Sequence, residues 1–372
     1  MSATIDRSGW KRVRLGDAFM FGNGYTPSKA VKEYWEGGTI PWFRMEDIRA
    51  NGRILKDSIQ HVTPKAINGT GLFPAGSFIL STTATLGEYA LLIADSLANQ
   101  RFTFLVKNVN RDWQIDNGYF LQYLSVIGDW CRKTANAGGL LAVNMEDLKN
   151  FELRLPDIST QRNIAVALAS IDTHISALQS LIAKYEAIKK ATVNLLLEPK
   201  AGWQEKPLGD LSFIKTGGKN TQDAVASGQY PFFVRSPNVE RINTYSYDGE
   251  AVLVAGDGVG AGKVFHYING KHDCHQRVYR VCDFNSEVLG LYIYRSLSEL
   301  FPIYMERRND KASVDSLRLP AFKEFLVHYP NIDEQRRIVA ILDSIDGTIN
   351  GLKSQLAKAQ DIKQGMMSYF FG

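Results

Sequence analysis

The chain has 372 residues, of which 45% are hydrophobic and 22% are charged, with a net charge of +4 and a pI near 8.7. This length exceeds one ordinary hydrophobic core, so two or more domains are expected, and the charge permits nucleic-acid binding without requiring it. The lack of a run of about 18 apolar residues or of an apolar leader, together with three scattered cysteines, favours a soluble cytoplasmic protein over a membrane, secreted or disulfide-stabilised one.

The first 156 residues predict a mixed α/β domain with many short strands. Residues 76–93 (GSFILSTTATLGEYALLI) predict a strand, a turn and a strand, and residues 101–107 (RFTFLVK) predict the next strand. Residues 117–135 predict a helix. Aromatic and basic residues adjoin at Trp42-Phe43-Arg44, which suits a nucleic-acid surface and suits the core of a sheet nearly as well.

Residues 157–199 predict a long helix. Pro156 ends an extended stretch, and Ser159 is the predicted N-cap. Apolar residues then recur at alternating steps of four and three, which is typical of a coiled-coil seam. The seam of this helix comprises Ile164, Leu168, Ile171, Ile175, Leu178, Ile182 and Tyr185.

The second half of the chain repeats this plan. Residues 200–330 predict a second mixed α/β domain, and residues 331–372 predict a second long helix with Asp333 at its N-cap. Within the domain, the strand–turn–strand segment, the next strand and the helix are predicted at 250–268, 277–282 and 286–305. The seam of the second helix comprises Ile338, Leu342, Ile345, Ile349, Leu352 and Leu356.

The two long helices are close repeats of each other, whereas the two domains match only loosely. Residues 156–190 and 330–364 align without a gap and are identical at roughly half of their positions. Two short segments match between the domains. Ile40-Pro41-Trp42-Phe43 matches Tyr230-Pro231-Phe232-Phe233, and Asn99-Gln100-Arg101 matches His275-Gln276-Arg277. This contrast indicates a shared frame that carries two different binding modules.

We therefore predict an α+β chain with two similar mixed α/β domains in tandem, each followed by a long helix, and the two helices paired as an antiparallel coiled coil. The alternative is that each helix packs on its own domain, but pairing is favoured because the seams match in length and phase. From Ile164 to Tyr185 an α-helix rises about 32 Å, which is close to one turn of B-DNA at about 34 Å. Such a pair suits two DNA half-sites separated by a fixed gap.

Two patterns in the second domain indicate other chemistry only weakly. Residues 256–263 (GDGVGAGK) follow a strand as a nucleotide-binding loop would, but the Walker spacing fails and the first domain has STTATLGE at this place. Residues 266–277 contain three histidines and a cysteine at a spacing that matches no zinc pattern. A tight hairpin and a turn leading into a strand are therefore preferred.

Catalytic chemistry is not indicated elsewhere. Asp172 and Asp346 flank the seams, where interface or solvated positions are favoured over a catalytic pair. The sequence shows no amino-methylation box, helicase ATP motif, Ser-His-Asp, Cys-His or HExxH arrangement. We therefore expect no catalytic site in this chain.

A family resemblance is carried by the repeated helix and by the domain openings. The helix motif is Pro330-Asn331-Ile332-Asp333-Glu334-Gln335 followed by Ile338, Leu342, Asp346 and Ile349, repeated by Pro156, Gln161, Ile164, Leu168, Asp172 and Ile175. The openings are Trp10, Leu15-Gly16-Asp17, Gly24-Tyr25-Thr26-Pro27 and Ile40-Pro41-Trp42. Over essentially the whole chain, this order resembles the specificity subunit of type I restriction-modification enzymes. The departures are Thr160 in place of the usual glutamate, and Arg101 and Arg277 where the family often has glycine.

The resemblance implies that each mixed domain is a target recognition domain that reads one half of a bipartite double-stranded DNA site. It implies that the paired helices set the spacer and dock two modification subunits, which bind S-adenosylmethionine and methylate a flipped adenine. Restriction subunits that use ATP and Mg²⁺ would join them for cleavage. This chain would itself be non-catalytic and bind no cofactor or metal. The alternatives are a two-module adaptor or scaffold that does not bind DNA, and an enzyme built on the loop at 256–262.

Candidate DNA contacts are polar side chains on predicted loops, because readout in the major groove uses Arg, Lys, Asn, Gln, Ser or Thr. In the first domain they are Arg44, Thr82, Thr83, Gln100 and Arg101. In the second domain they are Arg235, Asp257, Lys263, Gln276 and Arg277. Lys215 and Lys219 are predicted to contact phosphates instead.

Overall fold

Short strands and two 40-residue helices build the protein in a computed structural model, which describes residues 7–69, 71–111, 113–135, 141–307 and 317–372. The chain divides into unit 1, made of Met1–Ala177 with Leu356–Gly372, and unit 2, made of Leu178–Gln355. Each unit therefore combines one mixed α/β domain with a segment of each long helix.

The domain of unit 1 is a mixed α/β fold, as predicted. Its strands are β1 (Lys11–Arg14), β2 (Phe19–Asn23), β3 (Ile40–Phe43), β4 (Ile54–Leu55), β5 (His61–Val62), β6 (Phe78–Ser81), β7 (Tyr89–Leu92), β8 (Leu97–Ala98), β9 (Phe102–Lys107) and β10 (Glu152–Leu155). Its helices are α1 (Leu15–Ala18), α2 (Met45–Asn51), α3 (Asn117–Thr134) and α4 (Met145–Lys149), after which α5 (Ile158–Leu197) begins. The sheets run in the orders β2-β9-β6-β7-β4, β5-β3-β8 and β1-β10, with β3 and β8 parallel.

The domain of unit 2 repeats most of this topology, although residues 234–239, all within the described ranges, contain nothing that corresponds to α2 and β4. Its strands are β11 (Gln204–Pro207), β12 (Phe213–Thr216), β13 (Tyr230–Phe233), β14 (Glu240–Ile242), β15 (Tyr247–Ala255), β16 (Phe265–Cys274), β17 (Val278–Cys282) and β18 (Leu326–Tyr329). Its helices are α6 (Leu208–Leu211), α7 (Gly290–Arg307) and α8 (Leu319–Lys323), after which α9 (Ile332–Phe371) begins. The sheets run β12-β17-β15-β16-β13-β14 and β11-β18, and the long β16 pairs in parallel with β13 as β8 pairs with β3. The two predicted strand–turn–strand segments are confirmed as β6–β7 and β15–β16.

Aromatic side chains fill the core of each domain. Trp42 and Phe43 on β3 and Phe232 and Phe233 on β13 are buried, so the core interpretation of these aromatic positions is confirmed. They belong to strands that have a parallel neighbour, and strands buried on both faces favour large apolar side chains.

A buried tyrosine on α3 and another on α7 fasten these helices to the strand that precedes each long helix. The hydroxyl of Tyr119 donates to the carbonyl of Arg154 at 2.7 Å, and the hydroxyl of Tyr292 donates to the carbonyl of His328 at 2.7 Å. Both hydroxyls thereby satisfy the requirement that buried polar groups be paired.

A buried glutamine anchors the start of α5 to the domain of unit 1. The side-chain carbonyl of Gln161 accepts the backbone N–H of Asp116 at 2.9 Å. Its amide nitrogen donates to the carbonyls of Gln114 at 3.0 Å and Pro156 at 2.9 Å. One side chain thus ties the first turn of the helix to the segment before α3.

Gln335 makes the same three bonds at the start of α9. Its side-chain carbonyl accepts the N–H of Leu289 at 2.9 Å, and its amide donates to the carbonyls of Glu287 at 2.8 Å and Pro330 at 2.9 Å. Because both glutamines are fully buried and saturated with main-chain partners, an apolar replacement would leave several polar groups unpaired.

The N-caps of the long helices lie two residues earlier than predicted. Asp157, not Ser159, precedes the first helical turn, and its carboxylate accepts the N–H groups of Ser159 and Thr160 at 2.9 and 3.0 Å. In the second helix Asn331, not Asp333, accepts the N–H of Glu334 at 3.0 Å. The predicted residues lie inside the first turn, where their own N–H groups need a partner.

The two long helices run antiparallel, as their contacts in unit 2 show. Glu186 of α5 pairs with Lys353 of α9 at 2.8 Å, and Lys189 of α5 pairs with Asp346 of α9 at 3.0 Å. As α5 advances, its partner in α9 recedes, which is the antiparallel order. In unit 1 the same two helices are joined between Asp172 and Lys363.

The predicted seam residues of both helices are all buried or half-buried. The first residues of each seam also belong to a domain core: Ile164 and Leu168 to that of unit 1, and Ile338 and Leu342 to that of unit 2. The start of each stripe therefore packs on the helix's own domain, and ion pairs beside the stripes join the two helices.

Asp172 and Asp346 tie each long helix to the domain helix beside it. The carboxylate of Asp172 accepts the amide of Gln122 on α3 at 3.0 Å. Asp346 pairs with the buried Arg295 on α7. These carboxylates are therefore interface residues, in agreement with the preferred interpretation of their position.

Among the helices within the described ranges, α5 is long and apolar enough by composition to cross a membrane. Core helices of soluble proteins meet the same criterion. Ile164 and Leu168 lie in a protein core, and Leu178 and Ile182 are buried further along the helix. These apolar residues of α5 therefore pack against other parts of the protein.

Replacing Gln335 by Leu is expected to lower the free energy of unfolding by about 2–4 kcal/mol, because more than one buried main-chain group loses its partner. Hydrogen exchange should show faster exchange at the Leu289 N–H, with the Asp116 N–H in unit 1 unchanged. Replacement of the exposed Gln355 by Leu is the control and should alter stability by less than about 0.5 kcal/mol. Equal effects of the two variants would contradict the anchoring role.

The Asp346 carboxylate should make stability depend on pH. Partial burial opposes its ionisation, but hydrogen bonds from Arg295 and Lys189 lower its pKa below the ordinary value. Its stabilisation is therefore present above the unfolded pKa and is lost as pH falls through the lowered folded pKa. Asp346→Asn should cost about 1–3 kcal/mol at neutral pH.

Urea unfolding of wild type and Asp346→Asn, measured from pH 7 down to acid, checks this expectation. The stability difference should shrink as pH falls below about 4, the ordinary aspartate range. The matched control is Asp361→Asn, which removes an exposed carboxylate from the same helix and should alter stability by less than about 0.5 kcal/mol. A difference that persists unchanged in acid would refute the electrostatic origin.

Candidate nucleic-acid interface

In unit 1, main-chain hydrogen bonds bring three separate loops together at one edge of the domain. The N–H of Asn99 donates to the carbonyl of Phe43 at 3.0 Å, joining the β8–β9 turn to the end of β3. The N–H of Thr82 donates to the carbonyl of Arg101 at 3.2 Å, joining the β6–β7 loop to the same turn. The predicted residues placed on these loops are Arg44, Thr82, Thr83, Gln100 and Arg101.

Unit 2 uses the same bonds between its own loops. The N–H of His275 donates to the carbonyl of Phe233 at 2.9 Å, and the N–H of Gly256 donates to the carbonyl of Arg277 at 2.9 Å. The N–H of Gln276 donates to the carbonyl of Lys219 at 2.8 Å. These bonds bring together the predicted residues Lys219, Arg235, Asp257, Gln276 and Arg277.

The β8–β9 and β16–β17 turns have the same backbone closure. Phe102 donates its N–H to the carbonyl of Asn99 at 3.1 Å, and Val278 donates its N–H to that of His275 at 2.9 Å. Gln100-Arg101 and Gln276-Arg277 therefore occupy equivalent places at the tips of these turns. The structural repeat is closer here than the sequence repeat.

Two glycines that the candidate set omitted make room for these turns. A Cβ at Gly24 would overlap the carbonyl oxygen of Asn99, and a Cβ at Gly217 would overlap that of Cys274. Gly24 follows β2 and Gly217 follows β12, and each lets the backbone approach the turn closely. In the sequence, Gly24 stands out only as part of the Gly24-Tyr25-Thr26-Pro27 motif, and no strand is predicted before either glycine.

The candidate side chains differ in exposure. Thr82 departs from the expectation of an exposed loop residue, because it is buried and its hydroxyl is paired with that of Thr103 at 2.9 Å. Arg44 is half-buried with its guanidinium over the ring of Trp42. The exposed candidates are Gln100, Arg101, Lys215, Arg235, Lys263, Gln276 and Arg277, whereas Thr83, Lys219 and Asp257 are half-exposed.

Two of the twelve candidates lie apart from the central turns. Lys215 is on β12, directly across the sheet from Arg280 on β17, rather than on a loop. Lys263 is on the β15–β16 loop, whose Gly256 contacts the turn. Both are exposed lysines, a residue type that contacts phosphate more often than base edges.

Asp257 is a carboxylate shared by two arginines. It pairs with Arg277 and lies 3.4 Å from a guanidinium nitrogen of Arg235. The hydrogen bond from Arg277 lowers the pKa of Asp257 below its ordinary value, so the carboxylate is ionised at neutral pH. The sequence argument missed Asn220 and Thr26, which hold the side chains of Gln276 and Gln100.

The glycine-rich segment 256–263 is a hairpin loop between β15 and β16. A nucleotide-binding loop needs a following helix whose N-terminus faces phosphate, and here a strand follows. The loop thus matches the preferred hairpin interpretation.

Each histidine of 266–277 has a main-chain partner at one ring nitrogen, and Cys274 is buried. His266 contacts the carbonyl of Ser236 at 3.2 Å, and His275 accepts the N–H of Arg277 at 3.0 Å. Burial raises the pKa of the Cys274 thiol to about 12. Within the described ranges, no group of three or more His, Cys, Asp or Glu side chains is placed to hold a metal ion.

Comparison with known proteins identifies the family. The model of the type I restriction modification DNA specificity domain matches residues 7–187 and again residues 200–359. The chain belongs to this family. Specificity subunits are the non-catalytic members of type I restriction-modification systems, whose enzymatic activities lie on other subunits. The enzyme alternative built on residues 256–262 is thereby removed.

Specificity subunits of several systems are similar to this chain over much of its length. The chain is 29% identical over 357 residues to the type I restriction enzyme EcoprrI specificity subunit of Escherichia coli, covering 91% of this chain and 88% of that protein. It is 30% identical over 173 residues to the Escherichia coli EcoR124I/EcoR124II specificity subunit, covering 44% of this chain and 41% of that protein.

Solved structures share the fold. The specificity subunit from M. genitalium matches with a TM-score of 0.66 and 15% identity, covering 98% of this chain and 96% of that one. A chain from a structure describing complex assembly in a type I restriction-modification system matches with a TM-score of 0.57 and 17% identity, covering 99% and 98%. The predicted fold class is therefore confirmed.

Replacing Gly217 by Ala is expected to displace the β16–β17 turn, because the new methyl group would overlap the Cys274 carbonyl. Gly218→Ala is a matched control one residue away, where a Cβ meets nothing within 4 Å. Thermal unfolding and hydrogen exchange at the Gln276 N–H should report a loss of about 1–3 kcal/mol for Gly217→Ala alone. Equal tolerance of both substitutions would show that the close approach is unimportant.

Proposed function

We propose that this specificity subunit reads a bipartite double-stranded DNA target, with one half-site recognised by the loops of each unit. The observation that carries the proposal is the repeated loop frame, in which the same main-chain bonds hold equivalent turns while the surrounding side chains differ. A frame held by backbone groups can present different base-reading side chains without refolding. That property is what two different half-sites require.

The exposed turn residues have the chemistry of base readout. Arginine donates to guanine, and glutamine pairs with adenine, through two hydrogen bonds each in the major groove. Arg101 and Gln100 in unit 1, and Arg277 and Gln276 in unit 2, place both types at the turn tips. Lys215 and Lys219, and also Lys263, are suited to phosphates, which fix orientation without reading sequence.

The paired helices are proposed to dock two modification subunits. Ile188 and Leu195 on α5 correspond through the repeat to Ile362 and Tyr369 on α9, and all four are exposed. Equivalent exposed apolar residues on a repeated helix suit two copies of one partner, since such residues favour protein contact over solvent.

The partner subunits supply the chemistry in this proposal. Modification subunits would bind S-adenosylmethionine, and restriction subunits would use ATP and Mg²⁺, while this chain contributes sequence choice. Relatives named as specificity subunits of restriction enzymes support this division of labour. We propose a location in the prokaryotic cytoplasm, where such partner subunits and DNA would meet.

Methylome sequencing of cells with and without this gene, in the presence of the modification subunits, tests the proposed function. The expected result is methylated adenine at one split sequence that disappears when the gene is deleted. The adaptor alternative predicts assembly with partners but no sequence-selective methylation. Methylation that is unchanged by deletion would reject the DNA-reading proposal.

The length of the paired helices is proposed to set the gap between half-sites. Inserting one heptad after Ala177 and another after Gln355 adds about 10 Å to each helix, or about three base pairs of DNA. The expected methylome shows unchanged half-sites separated by about three more base pairs. Insertion of heptads of a different sequence at the same places should give the same gap. Altered half-sites would contradict the proposal that helix length sets the gap.

A further inference from the structure

We propose that Arg277, held in place by Asp257, reads a guanine in the half-site recognised by unit 2. The inference rests on the proposed DNA-reading function and adds the class of base and the residues responsible. It assigns Arg277 as the specificity-determining residue and Asp257 as its positioning residue.

The backbone of Arg277 is fixed from both sides. Its N–H donates to the ring nitrogen Nδ1 of His275 at 3.0 Å, and its carbonyl accepts the N–H of Gly256 at 2.9 Å. The preceding Gln276 is fixed by Lys219 through its N–H and by Asn220 through its side chain. The base of the Arg277 side chain is therefore held by three neighbouring segments of unit 2.

The side chain of Arg277 is exposed yet oriented. Its exposed fraction is 59%, and its Nη1 donates to the Asp257 carboxylate. A guanidinium has five N–H donors, so one bond to a carboxylate leaves donors for a base. Ordering the long side chain before DNA arrives reduces the conformational entropy that binding would otherwise cost.

Guanine is the base whose major-groove edge fits this group. Its N7 and O6 are two adjacent acceptors, which a guanidinium contacts with two parallel hydrogen bonds. The other bases offer at most one acceptor beside a donor or a methyl group. A positioned arginine at an exposed turn tip therefore discriminates in favour of guanine.

Asp257 is better suited to positioning than to reading. Its carboxylate is 20% exposed and already accepts from Arg277 and Arg235. Approach of a bare carboxylate to DNA is opposed by the phosphates, whereas a carboxylate between two arginines leaves a net positive cluster.

Unit 1 supplies a natural comparison. Arg101 occupies the equivalent turn position, and the loop residue that corresponds to Asp257 is Thr83, which follows Thr82 as Asp257 follows Gly256. Within the described residues, Arg101 has no recorded ion pair. The ion pair between Asp257 and Arg277 is thus a difference between two units that share the same backbone arrangement.

The test uses the complete chain assembled with its modification subunits. Binding is measured by competition with duplexes that carry each of the four base pairs at every half-site position. For wild type, one position in one half-site should require guanine. Arg277→Ala should lose about 5- to 150-fold discrimination at that position only, the range for a bidentate contact. Arg277→Lys should not restore it, because an ammonium is a point donor.

Asp257→Asn should weaken discrimination at the same guanine while leaving the other positions unchanged. The matched control is Arg101→Ala in unit 1, whose effect should fall in the other half-site. Circular dichroism melting of each variant, together with retained recognition of the unaltered half-site, separates loss of readout from loss of folding.

Four outcomes would overturn the proposal. The first is that Arg277→Ala weakens binding to all sequences equally and lowers its salt dependence, as loss of a phosphate contact does. The lost discrimination could fall on a base pair without guanine at the contacted position. Asp257→Asn could alter a position that Arg277→Ala leaves intact, which would make Asp257 a reader. Full discrimination by Asp257→Asn would remove its positioning role. Absence of any split site for the wild-type complex would instead reject the underlying function.

Discussion

The buried glutamine at the start of each long helix is the interaction on which the architecture depends. Gln161 and Gln335 satisfy the same set of main-chain groups, joining the first helical turn to the segment before α3 or α7. Because a buried unpaired donor or acceptor is costly, this junction has one low-energy geometry. The direction in which each long helix leaves its domain is thereby fixed. The same bonds fix which way the apolar stripe of the helix faces.

Main-chain bonding also explains how one fold serves two recognition surfaces. Thr82 and Gly256 donate equivalent N–H groups to Arg101 and Arg277, although one is a hydroxyl residue and the other a glycine. Such bonds depend on backbone position and not on side-chain identity. Substitutions at the loop tips can therefore change the exposed side chains while the frame persists, as the proposed reading of two half-sites requires. Asp257, which pairs with Arg277 in unit 2, corresponds to Thr83 in unit 1, and this is a difference of that kind.

Much of the fold was predictable because its signals are local. The strand–turn–strand segments and the long helices follow from apolar periodicity, which neighbouring residues determine. The N-cap predictions were wrong by two residues. Ser159 and Asp333 are as suitable chemically as Asp157 and Asn331, and periodicity does not locate the first helical turn within one residue. Most candidate residues lie on loops that the fold brings together, although Lys215 lies on a strand, and exposure within the loops depends on partners across the sheet. Thr82 is buried because Thr103 on β9 faces it.

The duplication, the helical stripe and the residue types on the loops can all be read directly from the sequence. These are properties of order and spacing along one chain, and the two copies could be compared directly. The tertiary structure decided which of those residues meet. Arg235, Asp257 and Arg277 lie on separate loops, and the bonds that assemble those loops run between backbone groups that every residue carries. Such bonds leave no residue signature in the sequence, so the arginine–carboxylate cluster emerged only from the folded structure.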